Sequence, residues 1–114
     1  MEATSLTTIV DQHLQAAKDA ASGRSSHTVF GGHDHHLRQT LIALSAGQTL
    51  DEHESPEEAT LQVLRGRVSL VSDGATLEGA TGDFLVIPDD RHSLDAIEDS
   101  AVLLTVSKML NASE

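Results

Sequence analysis

The sequence predicts an all-β domain, a sandwich or barrel, preceded by one short α-helix. Three observations carry this expectation. The chain has 114 residues, enough for one hydrophobic core and too few for two. Beyond residue 26 the apolar pattern changes from a three-and-four spacing to a spacing of about two, with turn signals every eight to twelve residues. No helical run of ten or more residues follows that point, so a parallel sheet would have no place for its crossover helices.

The helix is expected over residues 5–21. Leu6, Ile9, Val10, Leu14, Ala17 and Ala21 fall on one face at helical spacing. Thr4 or Ser5 can cap its start, and Gly23 stands where a helix stop is expected. His13 lies at the edge of the apolar stripe and reads as a boundary residue. Residues 1–25 therefore form a helix and linker, and residues 26–110 the β domain.

Strands are expected over residues 26–30, 37–45, 49–53, 59–65, 67–72, 75–78, 84–87, 92–96 and 101–108. Breaks between them fall at Gly31-Gly32, Ala46-Gly47, Gly66, Asp73-Gly74, Gly79 to Gly82, and Pro88-Asp89-Asp90. Asp73-Gly74 is the strongest hairpin signal, because both residues tolerate positive φ. Ala59, Leu61 and Val63 should share one face and Thr60, Gln62 and Leu64 the other; Leu85 and Ile87 oppose Phe84 and Val86 in the same way. Both faces are largely apolar, so one should line the interior and the other be covered by the helix or a second subunit.

Composition narrows the function. Hydrophobic residues make up 39% of the chain and aromatics 2%, so the core must be aliphatic. Phe30 and Phe84 are the only aromatics and lie outside basic stretches, which removes base-stacking platforms. Seven Lys and Arg against eighteen Asp and Glu give a formal charge of -11. That charge repels nucleic acid and anionic membrane surfaces. Cysteine is absent, which excludes disulfides, thiolate nucleophiles and sulfur-ligated metals. The N-terminus lacks a basic region followed by an apolar run, and no stretch reaches the roughly 20 apolar residues of a membrane helix. Cytoplasmic residence is the expectation. No nucleophile elbow, phosphate loop or dinucleotide fingerprint is present.

The chemistry-bearing residues are histidines, of which there are seven. His33, His35 and His36 crowd the stretch Gly31-Gly32-His33-Asp34-His35-His36 and read either as an exposed loop or as a source of imidazole ligands. Within a strand, His33 and His35 would share one face and His36 take the other. His53 and His92 are more informative, because each stands at a strand end near a proline, Pro56 or Pro88. Arg38 and Gln39 are further polar candidates for an interior cavity.

The segment Gly47 to Gly66 places a glycine six residues before His53 and another thirteen after it. The segment Gly82 to His92 runs glycine, apolar strand, Pro88, then histidine. These two segments resemble the two motifs of the cupin superfamily, over roughly residues 37 to 108, and the leading helix resembles that of small single-domain bacterial cupins. The resemblance implies a double-stranded β-helix, the cupin or jelly-roll barrel, with a short N-terminal helix and a homodimeric state. It carries over His53 and His92 as metal ligands. Ser55 and Ala59 stand at the positions of the motif's second histidine and its glutamate, and Asp90 where a glycine is usual, so two of the four usual ligands are absent. Glu57, of the right parity, or His33, His35 or His36 could complete a site for zinc, nickel, iron, copper or manganese. The implied function is a small-molecule- or metal-binding barrel acting as a sensor or carrier. The alternative is a metal-dependent dioxygenase or isomerase of a small metabolite.

Overall fold

The computed structural model describes residues 1–53 and 58–107; for residues 51–53 it describes the backbone. One helix, α1 (Leu6–Asp19), precedes nine strands among these residues: β1 (Arg24–Phe30), β2 (Leu37–Leu44), β3 (Thr49–His53), β4 (Ala59–Arg65), β5 (Arg67–Ser72), β6 (Ala75–Ala80), β7 (Phe84–Val86), β8 (His92–Ala96) and β9 (Ser100–Ser107). The expected bounds of β1, β2, β6, β7 and β9 each move by one or two residues. No helix among the described residues is long and apolar enough to cross a membrane.

The strands form a five-stranded sheet in the order β1-β2-β9-β4-β7 and a four-stranded sheet in the order β3-β8-β5-β6. Every pairing is antiparallel, and the pairs nest: β2 with β9, β3 with β8, β4 with β7, and β5 with β6. The chain therefore follows one long antiparallel ribbon whose successive pairs alternate between the two sheets. At its tip, Asp73 and Gly74 take φ of 50° and 79° and join Ser72 to Ala75, as the hairpin signal predicted.

Among the described residues no strand pairing joins one sheet to the other, so the expected closed barrel is instead two facing sheets. The crossings are made by turns. Between β6 and β7, for example, Gly82 N–H donates to the Val63 carbonyl at 2.8 Å and Val63 N–H to the Asp83 carbonyl at 2.9 Å, which ties the connection to β4.

Both faces of the five-stranded sheet are buried in its middle. Ala59, Leu61, Val63, Leu85 and Val102 face Val68, Leu70, Leu94 and Ala96 of the opposite sheet, and together they form the main core. On the outer side Leu41 and Ala101 pack under Ile9 and Val10 of α1, with Leu14, Val29 and Leu64 at the margin. Ser5 caps the helix, its hydroxyl accepting from Thr8 N–H at 3.2 Å. The predicted parity of β4 and β7 holds: Ala59, Leu61, Val63 and Leu85 are buried, whereas Phe84 and Val86 are 63% and 68% exposed. Helix α1 covers β2 and β9 but leaves the outer face of β7 open.

Candidate functional site

Strand β8 carries the clearest polar intrusion into this core. Its burial alternates, and His92, Leu94 and Ala96 are all buried. Leu94 and Ala96 belong to the main core, so His92 continues an otherwise aliphatic row at the end where the strand begins. Only 7% of His92 is exposed, and a buried imidazole among aliphatic side chains is the informative kind of polar burial. Its Nδ1 lies 3.1 Å from the Asp90 carbonyl oxygen. A carbonyl can only accept, so Nδ1 carries the proton and a neutral ring presents Nε2 as its lone-pair atom. A turn carbonyl thus fixes both the tautomer and the ring plane, the arrangement that prepares a histidine to accept or to ligate.

Each neighbouring strand places a named residue opposite His92. On one side β5 registers Ser72 against it, and the Ser72 hydroxyl donates to the Arg91 carbonyl at 2.9 Å, pinning the turn that leads into β8. On the other side β3 registers His53 against it. That second pairing depends on an irregularity. Thr49 opposes Asp95 and Leu50 opposes Leu94, and an unbroken continuation would bring Glu52 opposite His92. A register shift between Leu50 and His53 brings His53 there instead. One extra residue in one strand is a β-bulge, a device that re-aims a side chain beside a site.

The two histidines singled out from the sequence are therefore brought together as backbone partners on adjacent strands. Glu57 and Ser55 lie outside the described residues, as does the side chain of His53. His33, His35 and His36 are exposed on the connection between β1 and β2, the strands at one edge of the five-stranded sheet. There the His35 ring meets Phe30 edge-on, with centroids 5.2 Å apart. Gln39 points to the outer face, its amide donating to the Thr105 hydroxyl at 3.2 Å. Arg38 is exposed opposite Val106.

Beside His92 lies a cleft of about 480 Å³, lined by Leu70, Ser72, Asp73, Leu77, Val86, Pro88 and Asp90 among others. It spans the gap between the edge strands β6 and β7 and touches the residues flanking His92 in space. Its lining mixes aliphatic side chains with Ser72, Asp73, Thr76 and Asp90, and it opens to solvent past the exposed Leu77 and Val86.

Several solved structures share this architecture. A conserved protein of unknown function from Streptococcus pyogenes is 30% identical over 80% of this chain and 79% of its own, with a TM-score of 0.70. An RmlC-like cupin from Desulfovibrio desulfuricans is 25% identical over 94% of this chain and 96% of its own, with a TM-score of 0.72. The chain belongs to the cupin superfamily. A cupin superfamily protein from Desulfitobacterium hafniense, 16% identical over 75% of this chain and 78% of its own, shares the fold with a TM-score of 0.69. No protein-family model matches the sequence. No curated protein matches it either.

Membership makes this a fold of the type that binds small molecules or metals, and raises the question of whether its residues suit the metal that cupins often hold. Ala59, at the motif's glutamate position, is 7% exposed, packs in the main core and offers a methyl group where a carboxylate is needed. Among the described residues no three His, Cys, Asp or Glu side chains gather at metal-ligating range. The described residues do not supply the ligand set of a catalytic centre, which takes three protein ligands and an open position.

Proposed function

We propose that this cupin is a small-molecule binder, a sensor or carrier without catalytic activity, whose ligand contacts the His53 and His92 pair at the end of the interior. The observation that carries the reading is His92: a buried imidazole, its tautomer set by the Asp90 carbonyl, on the core face of β8 beside a cleft of small-molecule size. The nested pairing of strands supports reading the domain as a double-stranded β-helix, with this pair at its mouth. Two imidazoles suit a ligand with hydrogen-bonding groups: each neutral ring donates from one nitrogen and accepts at the other.

Elemental analysis of tag-free protein, repeated on His53→Ala and His92→Ala, separates this reading from a metal-dependent dioxygenase or isomerase. The expected result is no stoichiometric metal in the wild type, together with stabilising hits in a thermal-shift screen of small metabolites that vanish in His92→Ala. A stoichiometric metal in the wild type that is lost in both variants would overturn the proposal in favour of the enzyme.

A further inference from the structure

Two other histidines meet on the opposite side of the five-stranded sheet. His13, on α1, lies one turn beyond Ile9 and Val10, which anchor the helix to the sheet. His27 lies on β1, opposite Leu41 of β2, and Ser25 and His27 are two residues apart on the same face of that strand. The helix crosses this face, so that the His13 and His27 rings lie with centroids 5.4 Å apart and planes inclined at 46°. His13 Nδ1 is 2.7 Å from the Ser25 hydroxyl.

We infer that His13 and His27 form a two-imidazole site for a divalent late transition metal ion, zinc, nickel or copper, which clasps α1 to β1. Imidazole nitrogens bind such ions at about 2.0–2.1 Å. With ligand angles near tetrahedral, the two ring centroids then lie about 5 Å apart, close to the separation already present. The separation leaves room for a shared ion, and His27 is exposed, so its ring is free to turn toward one. With Nδ1 donating to Ser25, His13 would present Nε2 to the metal, and the serine would act as the outer partner that orients a ligating histidine. Water completes the coordination. The ion bridges two elements far apart in sequence, so binding it stabilises the folded chain over the unfolded one.

The site is distinct from the His53 and His92 pair, and its test does not depend on that reading. Zinc chloride is titrated into the full-length chain while the histidine ring resonances are followed by NMR, and melting temperature is measured with and without zinc. The expected outcome is that the His13 and His27 rings shift together with one midpoint. Zinc should raise the melting temperature, and His13→Gln or His27→Gln should each weaken the binding at that midpoint about tenfold or more, as loss of a chelating partner demands. Ser25→Ala, which keeps both ligands, should weaken it by a smaller factor. His53→Ala should leave it unchanged. Separate midpoints for the two rings, or a zinc-induced rise in melting temperature that persists in His27→Gln, would overturn the inference.

Discussion

The two sheets of this cupin differ in how many of their faces are covered. In the five-stranded sheet, β2 and β9 run Leu41-Ile42-Ala43-Leu44 and Ala101-Val102-Leu103-Leu104, alternately facing the interior and α1. In the four-stranded sheet, β8 runs His92-Ser93-Leu94-Asp95-Ala96, apolar or functional on one face and polar on the other. Its outer face carries a row made by Thr49, Asp95, Ser69 and Glu78 in successive registers, with the Thr49 hydroxyl donating to Asp95 at 2.8 Å. Continuous apolar runs mark strands covered on both sides, and strict alternation marks strands covered on one. The doubly covered sheet can serve as the rigid wall, while the singly covered sheet carries the candidate ligand-binding histidines at one strand end.

Substitutions test that contrast in order of expected size. Leu41→Ala removes a side chain with no exposed surface from beneath the helix, and should cost about 2–5 kcal/mol in urea unfolding. A loss below about 1 kcal/mol would mean that α1 contributes little to the sheet it covers. Gly66→Ala probes the junction of β4 and β5, where φ is 92° and an added Cβ would meet the backbone of Asp99 and Ser100. It should cost about 1–3 kcal/mol, read as a lowered melting temperature. Ser5→Ala, which removes the helix cap, should cost about 1 kcal/mol. On the singly covered sheet Thr49→Ala, which deletes the bond to Asp95, should cost about 0.5–1.5 kcal/mol and leave ligand binding intact. The smallest effect belongs to the exposed pair of Arg65 and Asp11, at 2.7 Å: Asp11→Asn should change stability by less than about 1 kcal/mol, and by less still in high salt.

Much of this architecture was legible in the residues. The inward row of β4, the Asp73-Gly74 hairpin and the bounds of β3, β4, β5 and β8 follow from a period of two and from turn chemistry, both of which are local. The histidine pair was legible in part. Motif spacing singled out His53 and His92, but the shift that makes them partners belongs to the pairing of β3 with β8, and no pattern within one strand shows where its partner skips a residue. Sheet closure was misread for a related reason, since alternation shows that a strand has an inside face and not whether its edge finds another edge. How far the helix covers the outer face was not legible. Apolar residues at Leu41 and Phe84 look alike in the sequence, yet α1 reaches one and leaves the other exposed. The meeting of His13 and His27 depends on the angle at which the helix docks, and its only sequence signal was a histidine beside the apolar stripe.

The irregularity in β3 gives the strand something like a reading frame. Deleting a single residue between Leu50 and His53 would straighten the ladder and leave His53 opposite His92, whereas carrying the irregularity past His53 would bring Glu52 opposite His92 instead. Point substitution changes one side chain, whereas the place of the irregularity decides which residue of β3 stands opposite His92. Engineering of the site should therefore begin with where that extra residue falls.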